Sequence, residues 1–149
     1  MNRPRILPPT WLFVAIAAMI FLHLVFPLAQ VIPSPWGLLG IALLLPGILL
    51  NLRADRLFHQ ANTTVNPYEE ASALVTSGVF GLSRNPMYLG FVLLLAGVAI
   101  LFGTLTPFFL LPVFVVLIEK QFIISEENML EKTFGQVYLD YKRKVRRWI

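Results

Sequence analysis

Apolar residues fall into four long runs, separated by short or strongly polar stretches. The first runs from about Thr10 to Ala29, the second from about Trp36 to Leu52, the third from Pro86 to Phe102 and the fourth from Leu105 to Ile124. A helix needs roughly 20 residues to cross the hydrocarbon core of a bilayer, and each run is that long or nearly so. Pro46-Gly47 in the second predicts a kink. Only Gly103 and Thr104 separate the third from the fourth, which predicts a tight helical hairpin. The polar segment 53–85 is about thirty residues long, far more than two adjacent helices require. Within it Asn66 reads as a helix cap, Pro67 as the first helical position and Glu69 or Glu70 as first-turn acids, which together predict a short helix. After Ile124 an amphipathic helix continues from the fourth run, with Gly135 ending or bending it. Beyond Gly135, Val137, Tyr141, Val145 and Trp148 recur at helical spacing among Lys142, Arg143, Lys144, Arg146 and Arg147, the pattern of an interfacial helix held to anionic headgroups. The expected fold is an all-α integral membrane protein. It has four transmembrane helices, a cytoplasmic loop and a C-terminal amphipathic helix, in a single domain over residues 1–149.

Composition agrees with that pattern. The chain is 57% hydrophobic and 13% charged, with a mean hydropathy of +0.73, and a soluble domain carries about twice that share of charge. The apolar run from Trp11 is too long for a secretory signal, and no small-residue cleavage site follows it. The twelve Lys and Arg residues are distributed unevenly. Arg3 and Arg5 precede the first run, Arg53, Arg56 and Arg84 lie between the second and third, and the rest lie at or beyond Lys120. The links Gln30–Pro35 and Gly103-Thr104 hold no charge. An even number of spans with all basic residues on one side predicts both termini in the cytoplasm. The excess of basic residues therefore reads as topology, and no nucleic-acid partner is expected.

The candidate chemistry is narrow. The absence of cysteine excludes disulfides, thiolate metal sites and cysteine nucleophiles. With only two histidines no metal site is expected. His23 falls within the first run, where an interhelical hydrogen bond is the expected role. "GVFG" at 78–81 lacks the spacing and the preceding strand of a nucleotide-binding phosphate loop. What remains is "GVFGLSRNPMYLG" at the mouth of the third run. Gly78 and Gly81 allow a tight turn, Pro86 starts the helix, and Arg84 beside a helix N-terminus is a natural place for a carboxylate.

The combination of "LVTSGVF", "RNPMYLG", the acidic pair Glu126-Glu127 after the next span and "FGQVYLDYKRKV" resembles the isoprenylcysteine carboxyl methyltransferase family, which is similar in turn to membrane phospholipid methyltransferases. The resemblance covers Leu74 to Val145. It rests on the pattern Arg-His-Pro-x-Tyr-x-Gly followed by an acidic pair. It implies S-adenosylmethionine as cofactor, bound from the cytosol, and a lipid-like acceptor arriving through the bilayer. Carried over by motif position, the cofactor contacts would be Leu74, Val75, Phe80, Asn85, Pro86, Met87, Tyr88 and Glu126, within a site built from 72–90 and 125–147. Arg84 suits the cofactor carboxylate and Glu126 or Glu127 its ammonium. Tyr88 suits the sulfonium, and the apolar slot near Phe80 and Leu74 suits the adenine. Arg84 and Glu127 are the expected catalytic residues, with Glu127 as base for an amine acceptor.

Two departures from the motif narrow the expectation. The motif histidine is Asn85, which hydrogen-bonds but does not titrate. The arginine that usually precedes the acidic pair is missing, since "LIEKQFIISEEN" offers only Lys120. That disfavours a prenylcysteine carboxylate unless Arg143, Arg146 or Arg147 folds back over the mouth, and it leaves amines, thiols and other lipid acids open. Two other readings carry different features. Sterol-type reductases share an Arg-x-x-x-Tyr-x-Gly hairpin and use a nicotinamide cofactor. A small four-helix exporter would need an acidic residue inside a span.

Overall fold

The computed structural model describes residues 6–149, so Arg3 and Arg5 lie outside the described residues. Among the described residues every regular element is a helix or helical turn. α1 spans Pro8–Val25 and α2 spans Ile41–Gln60, continuing a 3₁₀ turn at Trp36–Gly40. α3 covers Pro86–Phe102. A 3₁₀ turn at Thr106–Phe109 leads into α4 (Leu110–Ile118), a wide π turn (Glu119–Ile123) and α5 (Ile124–Phe134), and α6 (Gln136–Lys144) follows Gly135. Among the described residues, three continuous helical rods, Pro8–Val25, Trp36–Gln60 and Thr106–Phe134, are long and apolar enough to cross a membrane. The fourth apolar helix, α3, has 17 residues, or about 25 Å at 1.5 Å per residue.

Several boundaries differ from those expected. α1 stops at Val25 because Pro27 cannot continue a helix and drives Phe26 out of the α region, to φ −134° and ψ 64°. His23, expected within the span, is therefore in the last turn of its helix. Its Nδ1 lies 2.8 Å from the Thr104 hydroxyl, and its ring stacks on Phe102. The expected hydrogen bond thus forms, but to the link after α3 and not to another helix. α2 passes through Pro46 and runs eight residues beyond Leu52, because Ala54, Leu57 and Phe58 find partners beyond the apolar run. The short helix expected from Asn66 does not form. The Asn66 side chain instead accepts from the Tyr68 N–H at 3.1 Å and donates to Glu69 at 2.8 Å, so the capping residues close a local turn. Gly135 breaks the C-terminal helix as expected, at φ +53°. Past it the buried face is Tyr138 and Tyr141, whereas Val137 is 66% exposed. The chain leaves the helix at Val145, so Trp148 is not on that face.

Two contacts organise the bundle. α2 and α3 touch through reciprocal glycines, Gly40 against Gly97 and Gly47 against Gly90, where an added Cβ would fall between 2.3 and 2.9 Å from the opposing carbonyl oxygen. Small residues permit such backbone approach in a membrane, where no hydrophobic effect drives helices together. At the uncharged end, Gly103 is left-handed (φ +66°) and its carbonyl accepts from the Val31 and Ile32 N–H groups at 2.8 and 3.0 Å. The two charge-free links thus lie against each other. The core divides correspondingly. One cluster joins α1, α3, α4 and the π turn through Met19, Leu95, Ala99, Ile118 and Phe122. A second, at the charged end, joins Ala54, Val79, Phe80, Tyr138 and Tyr141.

Candidate active site at the charged end of the bundle

Residues 77–88 form the floor of the site, and their shape is set by their own hydrogen bonds. Gly78, at φ +61°, opens a 3₁₀ turn that buries Val79 and Phe80. The Ser83 hydroxyl accepts from the Asn85 N–H at 3.1 Å, and Pro86 then starts α3, where a missing N–H costs nothing. The chain terminus closes over this turn. Arg146 O accepts from the Arg84 N–H at 3.0 Å, and Arg147 O accepts from the Ser83 hydroxyl and the Asn85 amide at 3.1 Å each.

The charges are concentrated beside that turn. Glu127 is buried, and its Oε1 lies 3.1 Å from Arg84 Nη2. Arg147 grips the same carboxylate, with Nε 3.1 Å from Oε1 and Nη2 2.7 Å from Oε2, while its Nη1 donates to Glu119. Glu127 therefore has both oxygens committed to guanidinium groups. Glu126 is different: it accepts the Tyr88 hydroxyl and makes no ion pair among the described residues. The Arg84 side chain is 9% exposed; its Nε and Nη1 are buried without a hydrogen bond of good geometry among the described residues, and the Tyr138 phenol lies beside the same guanidinium. A buried, unpartnered guanidinium edge is costly unless something accepts from it.

Above these groups lies a cavity of about 390 Å³, within the roughly 300–1,000 Å³ typical of small-molecule and cofactor sites. Every residue named from the sequence lines it: Leu74, Val75, Phe80, Arg84, Asn85, Pro86, Met87, Tyr88, Glu126 and Glu127. Its aromatic wall includes Phe58, edge-on to Phe80 with ring centroids 5.0 Å apart. Tyr141 ties α6 to the floor by donating to Phe80 O at 2.7 Å. Burial, with the charge of Glu127 adding to it and Arg84 opposing it, pushes the Tyr138 phenol up to about 12. Burial raises Tyr141 as well, so both stay neutral at physiological pH. Arg147 is raised above its ordinary range, first by its hydrogen bonds to Glu127.

Sequence reasoning missed Phe58 and Tyr138, and it left open which of Arg143, Arg146 and Arg147 would turn inward; the structure brings in Arg147. Phe58 follows Ala54 by one helical turn, and Tyr138 and Tyr141 are three apart, so both spacings were visible. Nothing local distinguishes Arg147 from its basic neighbours. Arg143 stays in solvent, 3.4 Å from Asp140.

Residues 36–137, more than half of the chain, match the phospholipid methyltransferase family. Over 78 residues, 52% of this chain, the sequence is 36% identical to protein-S-isoprenylcysteine O-methyltransferase A of Arabidopsis thaliana, and the match spans 40% of that protein's length. Over 63 residues, 42% of this chain, it is 36% identical to an uncharacterized protein of Haemophilus influenzae, which is matched over its whole length. The family match runs from the start of the second rod to α6 and takes in the glycine contacts, the Arg84–Tyr88 turn and the acidic pair; the chain belongs to the phospholipid methyltransferase family.

Proposed function

We propose that the protein is a membrane-embedded methyltransferase that takes S-adenosylmethionine from the cytosol and methylates a lipid-like or small hydrophobic acceptor arriving through the bilayer. Four spans with both termini cytoplasmic complete this reading. Family membership supports it, and the observation that carries it is the buried edge of Arg84. Arg84 lines a largely apolar cavity and keeps two buried guanidinium nitrogens without a hydrogen bond among the described residues; it fits a carboxylate, and an amino-acid carboxylate attached to a nucleoside has that character. Leu74, Val75, Phe58 and Phe80 would hold the base, Asn85, Pro86 and Met87 the adjoining wall, and Glu126 with Tyr88 the cationic part.

When bound, the cofactor supplies an electrophilic methyl group on a sulfonium. The protein aligns an acceptor with that methyl and excludes water, a task suited to apolar walls. A carboxylate or thiolate acceptor needs no base. An amine must lose a proton, and Glu126 is the carboxylate placed to accept it, because both oxygens of Glu127 are occupied by Arg84 and Arg147. Glu127 accordingly serves to hold the arginines.

The test is calorimetric titration of the purified protein in detergent with S-adenosylhomocysteine and, separately, with a nicotinamide dinucleotide. Binding of the first alone is the expected result. Binding of the dinucleotide alone would transfer the site to a reductase, and binding of neither would remove the methyltransferase reading.

A further inference from the structure

The last residues turn inward instead of continuing α6 along a surface. Val145 is extended, at φ −121° and ψ 131°, and the strap that follows crosses the start of α3 through the three backbone-carbonyl bonds described above. Trp148 packs against the core shared by α1, α3 and the π turn. Of the tail's basic side chains, Lys142, Arg143, Lys144 and Arg146 stay exposed while Arg147 is carried in to Glu127 and Glu119.

The way Glu127 is shared has a chemical consequence. A carboxylate facing a single arginine favours the two-pronged pair, in which two parallel N–H groups meet its two oxygens. Arg84 gives Glu127 only Nη2, at Oε1. Arg147 takes Oε2 with Nη2 and shares Oε1 through Nε, and Glu119 holds its remaining Nη1. The second oxygen of Glu127 is thereby closed to Arg84, which lines the cavity and whose buried Nε and Nη1 make no hydrogen bond among the described residues.

We propose that Arg147 is a positioning residue that keeps Arg84 available: by occupying Glu127 it prevents a two-pronged Arg84–Glu127 pair and leaves the buried edge of Arg84 for an anionic ligand group. This rests on the methyltransferase reading, in which that group is the carboxylate of the cofactor. Arg147 touches neither ligand nor reacting atoms and acts through Glu127 alone.

The experiment compares two ligands in calorimetry: S-adenosylhomocysteine, and 5′-methylthioadenosine, which keeps the nucleoside thioether but lacks the amino-acid carboxylate. In Arg147→Ala, S-adenosylhomocysteine affinity falls about tenfold or more, the weight of a charge-assisted hydrogen bond. Methylthioadenosine affinity stays within about twofold of wild type, the scatter of a substitution away from its contacts. The double variant Glu127→Gln/Arg147→Ala recovers much of the loss, because a neutral amide cannot hold Arg84 as an ion pair. If Arg147→Ala does not fold, Arg147→Lys carries the comparison, since a single point charge cannot cover both oxygens of Glu127. Equal weakening of both ligands would make the strap a fold staple and overturn the proposal, as would a double variant no better than the single one. Wild type that does not bind S-adenosylhomocysteine would overturn the methyltransferase reading and this proposal with it. Wild-type binding that Arg147→Ala and Arg147→Lys both leave unchanged would overturn this proposal alone.

Discussion

Replacing Gly40 by alanine tests whether the glycine contact between the second rod and α3 supports the site. A Cβ at position 40 would lie 2.3 Å from the Gly97 carbonyl oxygen and 3.0 Å from both Leu101 Cγ and the Leu101 amide nitrogen. The nearest obstacle is backbone and cannot rotate aside, so restoring an ordinary contact near 3.4 Å requires the helices to part by roughly 1 Å. Two terms compete. Gly40 has helical backbone, φ −56° and ψ −31°, where alanine is favoured over glycine by about 0.8–1.0 kcal/mol. Forcing a methyl group into a packed contact costs about 1–3 kcal/mol, and a backbone clash belongs at the upper end. The expected net loss is about 1–2 kcal/mol, with weaker binding of S-adenosylhomocysteine because the first turn of α3 carries Pro86, Met87 and Tyr88. Unfolding by SDS titration in mixed micelles measures it. Gly81→Ala serves as reference, since its Cβ would meet only Thr76 O, at 4.0 Å. Equal stability of the two variants would refute the reasoning.

Other consequences can be measured directly. Glu126→Gln removes a cavity-lining carboxylate that has no cationic partner among the described residues, and S-adenosylhomocysteine affinity should fall about tenfold by calorimetry; unchanged affinity would place the ligand's cation elsewhere. A cysteine introduced at Ser34, in a chain with no other cysteine, should react with an impermeant thiol reagent from the non-cytoplasmic side only. Exclusive labelling from the cytoplasm would invert the topology. With labelled cofactor, a prenylcysteine analogue should be methylated more slowly than a phosphatidylethanolamine or a small hydrophobic thiol. Arg147 is already committed to Glu119 and Glu127, and a buried substrate carboxylate without a fixed cation costs several kcal/mol. Rapid turnover of the prenylcysteine, lost in Arg143→Ala, would assign that cation to the tail.

The residues around the cavity were legible in the sequence to the extent that their positions follow from one local turn. Arg84 to Tyr88 are tied together by Pro86 and the helix it begins, and Glu126-Glu127 follow at the end of the next rod. The helices themselves were legible from apolar runs, but their ends were set by other forces. Pro27 stopped α1 early, and Phe58 extended α2 by packing on Phe80. The signals at Asn66, Pro67 and Glu69 were genuine capping signals, spent on a turn because side chains satisfied the first backbone groups before a helix could grow. Gly40, Gly47, Gly90 and Gly97 stand seven apart within each helix, yet the spacing acquires meaning only once α2 and α3 are known to be neighbours. The strap depends wholly on tertiary contacts: among five basic residues near the terminus, only the position of Glu127 selects Arg147.

The π turn at Glu119–Ile123 decides which of two adjacent carboxylates does which work. Its closing hydrogen bond joins Ile124 N–H to Glu119 O, five residues apart, so the turn takes up one residue more than an α turn. Each residue rotates a helix by about 100°. Phe114 and Ile118 face the core in steps of four; within the wide turn Phe122 and Ile123 are both buried, and Glu127 follows Ile123 after four more. In a rod of uniform pitch the same sequence would turn Glu126 to the azimuth Glu127 now holds, placing it between the arginines and moving its neighbour out of line with them. The wide turn thus works as a vernier on the rod: it leaves the lipid-facing half unchanged while setting which acid is neutralised by Arg84 and Arg147 and which is left to Tyr88.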